Sequence, residues 1–214
     1  MTNALQSAGD AHRNAGPRNL AARIVPFGIT ICGLEELPGH CQVGVSHVLS
    51  ILDPEWPVPE AFGAFGEHAK LELRFHDVIE EQGGEVIPPQ PEHVGELLAF
   101  GRHLQTGAHL LVHCHAGVSR STAAMALILA QACPVVPGAA IFKQVLSIRP
   151  RAWPNLRIVE LGDALLGRNG ALIAAAVEVY RSQLANRQHV EQEMRSGGRG
   201  REVDATLNRR SILT

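Results

Sequence analysis

The chain alternates short, continuous apolar runs with longer segments whose apolar residues recur at helical spacing. The runs within RIVPFGITICG, VSHVLSILDP, AKLELRF and AHLLVHC are rich in Val, Ile and Leu and end at Gly, Pro or polar residues. That pattern predicts four strands, the first ending at Gly33. Between the third and fourth, PEHVGELLAFGRHLQ places Val94, Leu97, Leu98 and Leu104 near one face of a helix that follows a Pro-rich lead-in. Further helices are predicted from Ser121, from about Gly138 (GAAIFKQVLSIRP), from about Pro154 (PNLRIVELGDALL) and from about Ala171 (ALIAAAVEVYRSQLA). Strands interleaved with helices define an α/β architecture, a central and mainly parallel sheet flanked by helices. Residues 1–20 are polar and lie outside this alternation. Residues 188–214, with MRSGGRGREVDATLNRR, show no apolar period able to bury them. The organisation expected is one domain over 21–187 between two disordered tails.

One stretch departs from a plain strand and helix. LLVHCHAGVSRSTAAMALILA, residues 110–130, sets Cys114 between two histidines and an arginine six positions later. Four cysteines in an arginine-rich chain of 214 residues give roughly 0.3 chance matches to Cys-x5-Arg, so the spacing alone is weak. The flanks add to it, because Ala108 to Val112 reads as a buried strand and Ser121 to Ala132 as a helix. A tight loop between strand and helix turns backbone N–H groups inward, beside the positive end of the helix, and so suits an anion. Gly117 permits the close turn, and Ala116, Val118 and Ser119 are small enough to leave the bowl open.

His113-Cys114-x5-Arg120-Ser121 resembles the signature of cysteine-dependent protein tyrosine and dual-specificity phosphatases. RFHDVIEEQGG upstream is similar to the family's general-acid loop, and SIRPRAWPNLRIVELGDALL downstream to the helical segment that closes its domain. The resemblance spans residues 22–168. It implies a metal-independent phosphomonoesterase that works through a phosphocysteine intermediate and needs no cofactor. Cys114 would be the nucleophile, its thiolate favoured by the helix N-terminus, the loop amides and Arg120. Arg120 would hold the transferring phosphoryl group through two parallel N–H bonds. Ser121 would donate to the Cys114 sulfur during hydrolysis, or else simply cap the helix. His113 would hold the loop from behind, and His115 would touch substrate or fill space. Residues 115–120 would line the phosphate site.

Asp77, at the end of the third strand, is the expected proton donor to the leaving group. It lies 37 residues before Cys114, and DVIEEQGGEVIPPQP is long for such a loop, which leaves Glu80, Glu81 and Glu85 in competition. Asn155 is expected to support the loop, and Arg149, Arg151 and Arg157 either add positive potential or form surface ion pairs. Tyr180 is the only tyrosine, and no residue suggests itself for stacking on a phosphotyrosine ring.

Composition narrows the partners. A net charge of −2 argues against a surface tuned throughout to nucleic acid or anionic membrane. The substrate expected is a phosphorylated protein or peptide. A phosphoinositide or RNA 5′-phosphate stands as the alternative, although HAGVS lacks the lysines those substrates favour, and a catalytically dead phosphate-binding module is the third reading. The four cysteines show neither Cys-x-x-Cys pairing nor dense spacing. With no signal-peptide layout and no apolar window long enough to span a bilayer, a cytoplasmic location is expected. His113 and His115 flank a thiol, but no further Cys or His follows at zinc spacing, so no metal site is expected. Oligomeric state is left open.

Overall fold

The computed structural model describes residues 24–187 and 189–207. Four strands, β1 (Gly28–Cys32), β2 (His47–Leu52), β3 (Ala69–Arg74) and β4 (His109–His113), form one sheet in the order β1-β4-β2-β3. Every pairing is parallel, so the sheet expected to be mainly parallel is wholly so among the described residues. The inner strands β4 and β2 are buried along nearly their whole length and read as apolar runs, since both of their faces are covered, whereas the edge strand β3 alternates Leu with Lys, Glu and Arg and has only Leu73 buried.

The two faces are covered differently. Leu110 and Val112 of β4 join the main core beneath the helices, while Leu111 turns to a smaller cluster with Cys32, Leu37, Val45 and Val48. Two short 3-10 helices, Leu34–His40 and Glu60–Ala64, supply the cover on that second face, through Leu37, Ala61 and Phe62. On the main face α1 (Pro91–Gly101) precedes β4, and α2 (Arg120–Ala132) follows it directly. Residues 120–130 of α2 are all buried, which explains why that helix is apolar around its whole circumference. It is surrounded by α1, α3 (Gly138–Ile148) and α4 (Leu156–Leu165). A Cβ at Gly162 of α4 would lie 2.2 Å from the Leu127 side chain, so α2 and α4 approach as closely as only glycine allows. α5 (Ala171–Asn186) packs outside α3 and α4.

The C-terminal stretch differs from expectation. Residues 189–207 fold into α6 (His189–Ser196) and α7 (Gly200–Leu207), packed on α5 and on each other. Their contribution to the main core is chiefly Val190 and Val203, while Arg199, Glu202 and Thr206 are buried polar residues. Val190 and Met194, one turn apart on α6, pack on the core with Val203 and Ala205 of α7, a stripe too short to stand out among the charged residues, and the rest of the docking rests on buried hydrogen bonds and ion pairs. The expected tail over 1–20 lies outside the described residues, as do the last seven positions. No helix among the described residues is long and apolar enough to cross a membrane.

Candidate active site

The loop after β4 lies at the carboxyl end of the sheet, where β4 sits between β1 and β2. Its carbonyls are all engaged on the outside. The oxygen of His115 accepts from Leu34 N at 2.9 Å. Those of Ala116 and Gly117 accept from Arg149 Nη2 and Nε at 3.1 and 3.0 Å. Val118 O accepts from Trp153 N at 2.9 Å, and Ser119 O from Ala123 N at 3.0 Å. Thr122 Oγ1 donates to both of these last two oxygens. In a trans peptide the N–H and C=O point in opposite directions, so carbonyls tied outward aim the amides inward. Gly117, at φ +67°, makes the turn, and a Cβ there would lie 2.4 Å from the carbonyl carbon of Cys32.

Cys114 is 2% exposed at the base of this bowl, with its Sγ 3.2 Å from Ser121 Oγ in the first turn of α2. Arg120 is also buried. Its Nη1 donates to Asp53 Oδ1 and to Phe75 O, each at 2.6 Å, while Nε is buried without an acceptor among the described residues. Asp53 was not singled out from the sequence. It follows β2 at the same end of the sheet as Cys114, and that position at the carboxyl end of a parallel strand was the available signal.

Asp77 is drawn to the loop. Its Oδ1 accepts from Ser119 Oγ at 2.7 Å and Asn155 Nδ2 at 2.9 Å, with Arg199 Nη1 at 3.5 Å. Asn155 caps α4, accepting from Ile158 N through its side chain, and also reaches Val78 O. Burial alone would raise the Asp77 carboxyl, but Arg199, Arg120 and the bonds from Asn155 and Ser119 outweigh it and hold it below its ordinary range. The competing glutamates face elsewhere. Glu80 pairs with Arg201 at 3.2 Å and Glu81 with Arg157 at 3.2 Å, and Glu85 is exposed.

His113 lies behind the loop, its Nδ1 3.4 Å from Cys114 O and its ring 5.5 Å from Phe62. Burial pushes its imidazole down to about 4, so it is neutral at physiological pH. His115 sits at the rim. Its Nε2 accepts from Asp53 N at 3.3 Å, and burial keeps the ring below the usual histidine range despite Asp53. Trp56 meets the His115 ring edge-on at 4.5 Å and is 44% exposed. The sequence reading missed this aromatic wall, because Trp56 lies 58 positions from the cysteine and reaches the mouth only through β2's placement beside β4. A groove of about 670 Å³ runs beside the mouth, lined by Gly33, Leu34, Trp56, His115, Ala116 and Arg149. Cys32, paired with His113 on the neighbouring strand, is pushed up to about 12 by burial and then by Glu36, and stays a thiol. Among the described residues no three His, Cys, Asp or Glu side chains are gathered to hold a metal ion.

This is the fold of the dual-specificity phosphatases. Human DUSP28 aligns with a TM-score of 0.51 over 68% of this chain and 98% of its own, at 20% identity. Human tyrosine phosphatase-like serine/threonine/tyrosine-interacting protein aligns with a TM-score of 0.51 over 68% and 95%, also at 20% identity. No protein-family profile and no curated protein sequence matches the chain.

Proposed function

We propose that the chain is a cysteine-dependent, metal-independent phosphatase acting on phosphorylated protein or peptide. The observation that carries the reading is Cys114 Sγ held 3.2 Å from Ser121 Oγ beneath a loop whose carbonyls from 115 to 119 all bond outward. Inward amides and a guanidinium form a preorganised site for a phosphoryl group and for the charge that develops as it transfers.

The Cys114 thiolate attacks phosphorus in line with the ester oxygen. The P–O bond breaks as the P–S bond forms, and the departing oxygen takes a proton from Asp77. Anchored through Nη1 to Asp53 and Phe75, Arg120 offers its Nε–H to a phosphoryl oxygen. Water then attacks the phosphocysteine, gives a proton to the Asp77 carboxylate and releases inorganic phosphate. Ser121 donates to the sulfur as it regains the electron pair. The Trp56 groove supports a peptide substrate, since an extended chain can lie beside the mouth while its phosphorylated side chain enters the bowl.

Hydrolysis of a chromogenic aryl phosphate in the presence of a chelator tests the reaction class. A panel of phosphopeptides, phosphoinositides and 5′-phosphorylated RNA then tests the substrate. Activity that disappears with chelator refutes the thiolate route, and preference for either of the other two classes refutes the protein substrate.

A further inference from the structure

The C-terminal helices bring a second arginine to the site. Arg199 lies between α6 and α7 and is 8% exposed. Its Nε and Nη2 donate to the two oxygens of Glu202 at 2.9 and 2.6 Å, and its Nη1 donates to Ser119 Oγ at 2.8 Å. Glu202 is fully buried and is held in turn by Trp153 Nε1 and by the N–H of Leu156, the first residue of α4. Burial raises the Glu202 carboxyl above its ordinary range, although Arg199, Trp153, the Leu156 N–H and the helix dipole all favour its anion. The guanidinium is therefore fixed on one edge by a buried carboxylate while its free corner points at the loop. Arg201 ties α7 to the same region through Ile79 O at 3.1 Å and Glu80 at 3.2 Å.

All three donors that reach Asp77 meet the same oxygen. Ser119, Asn155 and Arg199 bond Oδ1, and among the described residues none is bonded to Oδ2. A carboxyl clamped on one oxygen carries its proton on the other. We propose that Arg199 is a positioning residue for the proton donor: with Ser119 and Asn155 it fixes Oδ1 of Asp77, so that Oδ2 bears and delivers the proton, and the helix pair α6–α7 belongs to the working site. This inference rests on the phosphatase reading. It goes beyond it by assigning a role to a segment outside the loop, the acid and the helices that follow them.

The charged groups facing Asp77 are Arg199 from the α6–α7 turn, Arg120 from α2 and His115 from the loop, with Asp53 behind Arg120 and Glu202 behind Arg199. Arg199 opposes protonation of Asp77. Removing it has two separable effects: the alkaline limb of kcat/KM moves to higher pH, because the acid form persists further, and the plateau falls, because the carboxyl is no longer aimed.

The test compares Arg199→Met and Arg199→Lys with the parent on an alkyl phosphate and on an activated aryl phosphate, across pH, with thermal melting alongside. Arg199→Met is expected to raise the limb and to lower kcat on the alkyl ester about 10- to 100-fold, the scale of a misplaced catalytic group. Its loss on the activated ester should stay within about 3-fold, since that phenolate leaves unaided. Arg199→Lys keeps the charge and should leave the limb near its parent position, with a smaller loss of plateau. Equal losses on both esters with an unmoved limb would overturn the proposal and leave Arg199 a structural tie. Should Arg199→Met not fold, the lysine variant decides alone, by whether its loss depends on the leaving group. Carboxyl NMR of Asp77 separates this failure from that of the phosphatase reading. A parent chain without turnover overturns that reading and the aiming role, whereas unchanged Asp77 titration in an active chain overturns only the clamp.

Discussion

Gly117→Ala isolates the contribution of loop geometry to the reaction. The added Cβ would lie 2.4 Å from the carbonyl carbon of Cys32, 2.6 Å from its oxygen and 2.6 Å from Gly33 N. All three are backbone atoms of the end of β1 and the residue after it, so no side chain can swing away. Relief to an ordinary carbon contact of about 3.5 Å needs about 1 Å of movement, and the loop is the part free to make it. A displacement of that size from the reacting geometry costs about 10²-fold in rate. Alanine at φ +67° adds about 1–2 kcal/mol of backbone strain. In a chain of this length that lowers the melting temperature by about 2–8 °C. The expectation is therefore a folded protein with kcat/KM on an aryl phosphate reduced about 10²-fold. Gly63→Ala, where nothing lies within 4 Å of the new Cβ, serves as the control and should match the parent. Gly117→Ala with kcat/KM within about 3-fold of the parent, at unchanged melting temperature, would show that the loop tolerates the shift and that its amides do not set the rate.

Three further outcomes follow from the same geometry. Cys114→Ser should lose more than about 10²-fold in turnover while still binding vanadate or tungstate, measured by calorimetry, because the amides and Arg120 remain. Ser121→Ala removes the donor 3.2 Å from the sulfur and should slow breakdown of the phosphocysteine, so that a burst of phenolate precedes the steady rate in stopped flow. Asp77→Asn should lose about 10²- to 10⁴-fold on alkyl esters, less on activated aryl esters, and should erase the alkaline limb of the pH profile. In the parent that limb should lie at lower pH in kcat/KM than in kcat. Equal losses on both ester classes would leave Asp77 a structural residue of the loop rather than the proton donor.

How much of this was legible in the sequence depended on which interactions are local. The inner strands declare themselves through runs such as VLSIL, apolar but for the buried Ser50, because both faces of the sheet are covered there, and the edge strand β3 through its alternation of Leu with charged residues. The loop after β4 was legible because strand, cysteine, turn, arginine and helix are contiguous. Asp53, Trp56 and Arg149 were not legible in their roles, because each reaches the mouth only through strand order or helix return. Arg199 and Glu202 were hidden more deeply. The helices that carry them bury few apolar residues and dock through a charged pair, and composition alone places such a stretch among the solvated tails.

In the proposed reaction, the charges gathered at the mouth require Asp77 to change state when substrate arrives. Among the described residues, the guanidinium groups of Arg120 and Arg199 face the carboxylates of Asp53, Asp77 and Glu202. Before substrate binds, these acidic groups outnumber the two arginines, yet Asp77 is kept ionised by Arg199, Arg120 and its hydrogen-bond donors. A phosphate ester brings up to two more negative charges into a bowl walled by protein, where they interact more strongly than in water. Arg120, engaged by the phosphoryl oxygens, no longer favours the Asp77 anion to the same degree, and the new charge disfavours it directly. Proton uptake by Asp77 is then coupled to binding, at the oxygen the Ser119, Asn155 and Arg199 clamp leaves free. In that proposal the acid is armed by the substrate that needs it, and the different positions expected for the limbs of kcat/KM and kcat are the measure of that coupling.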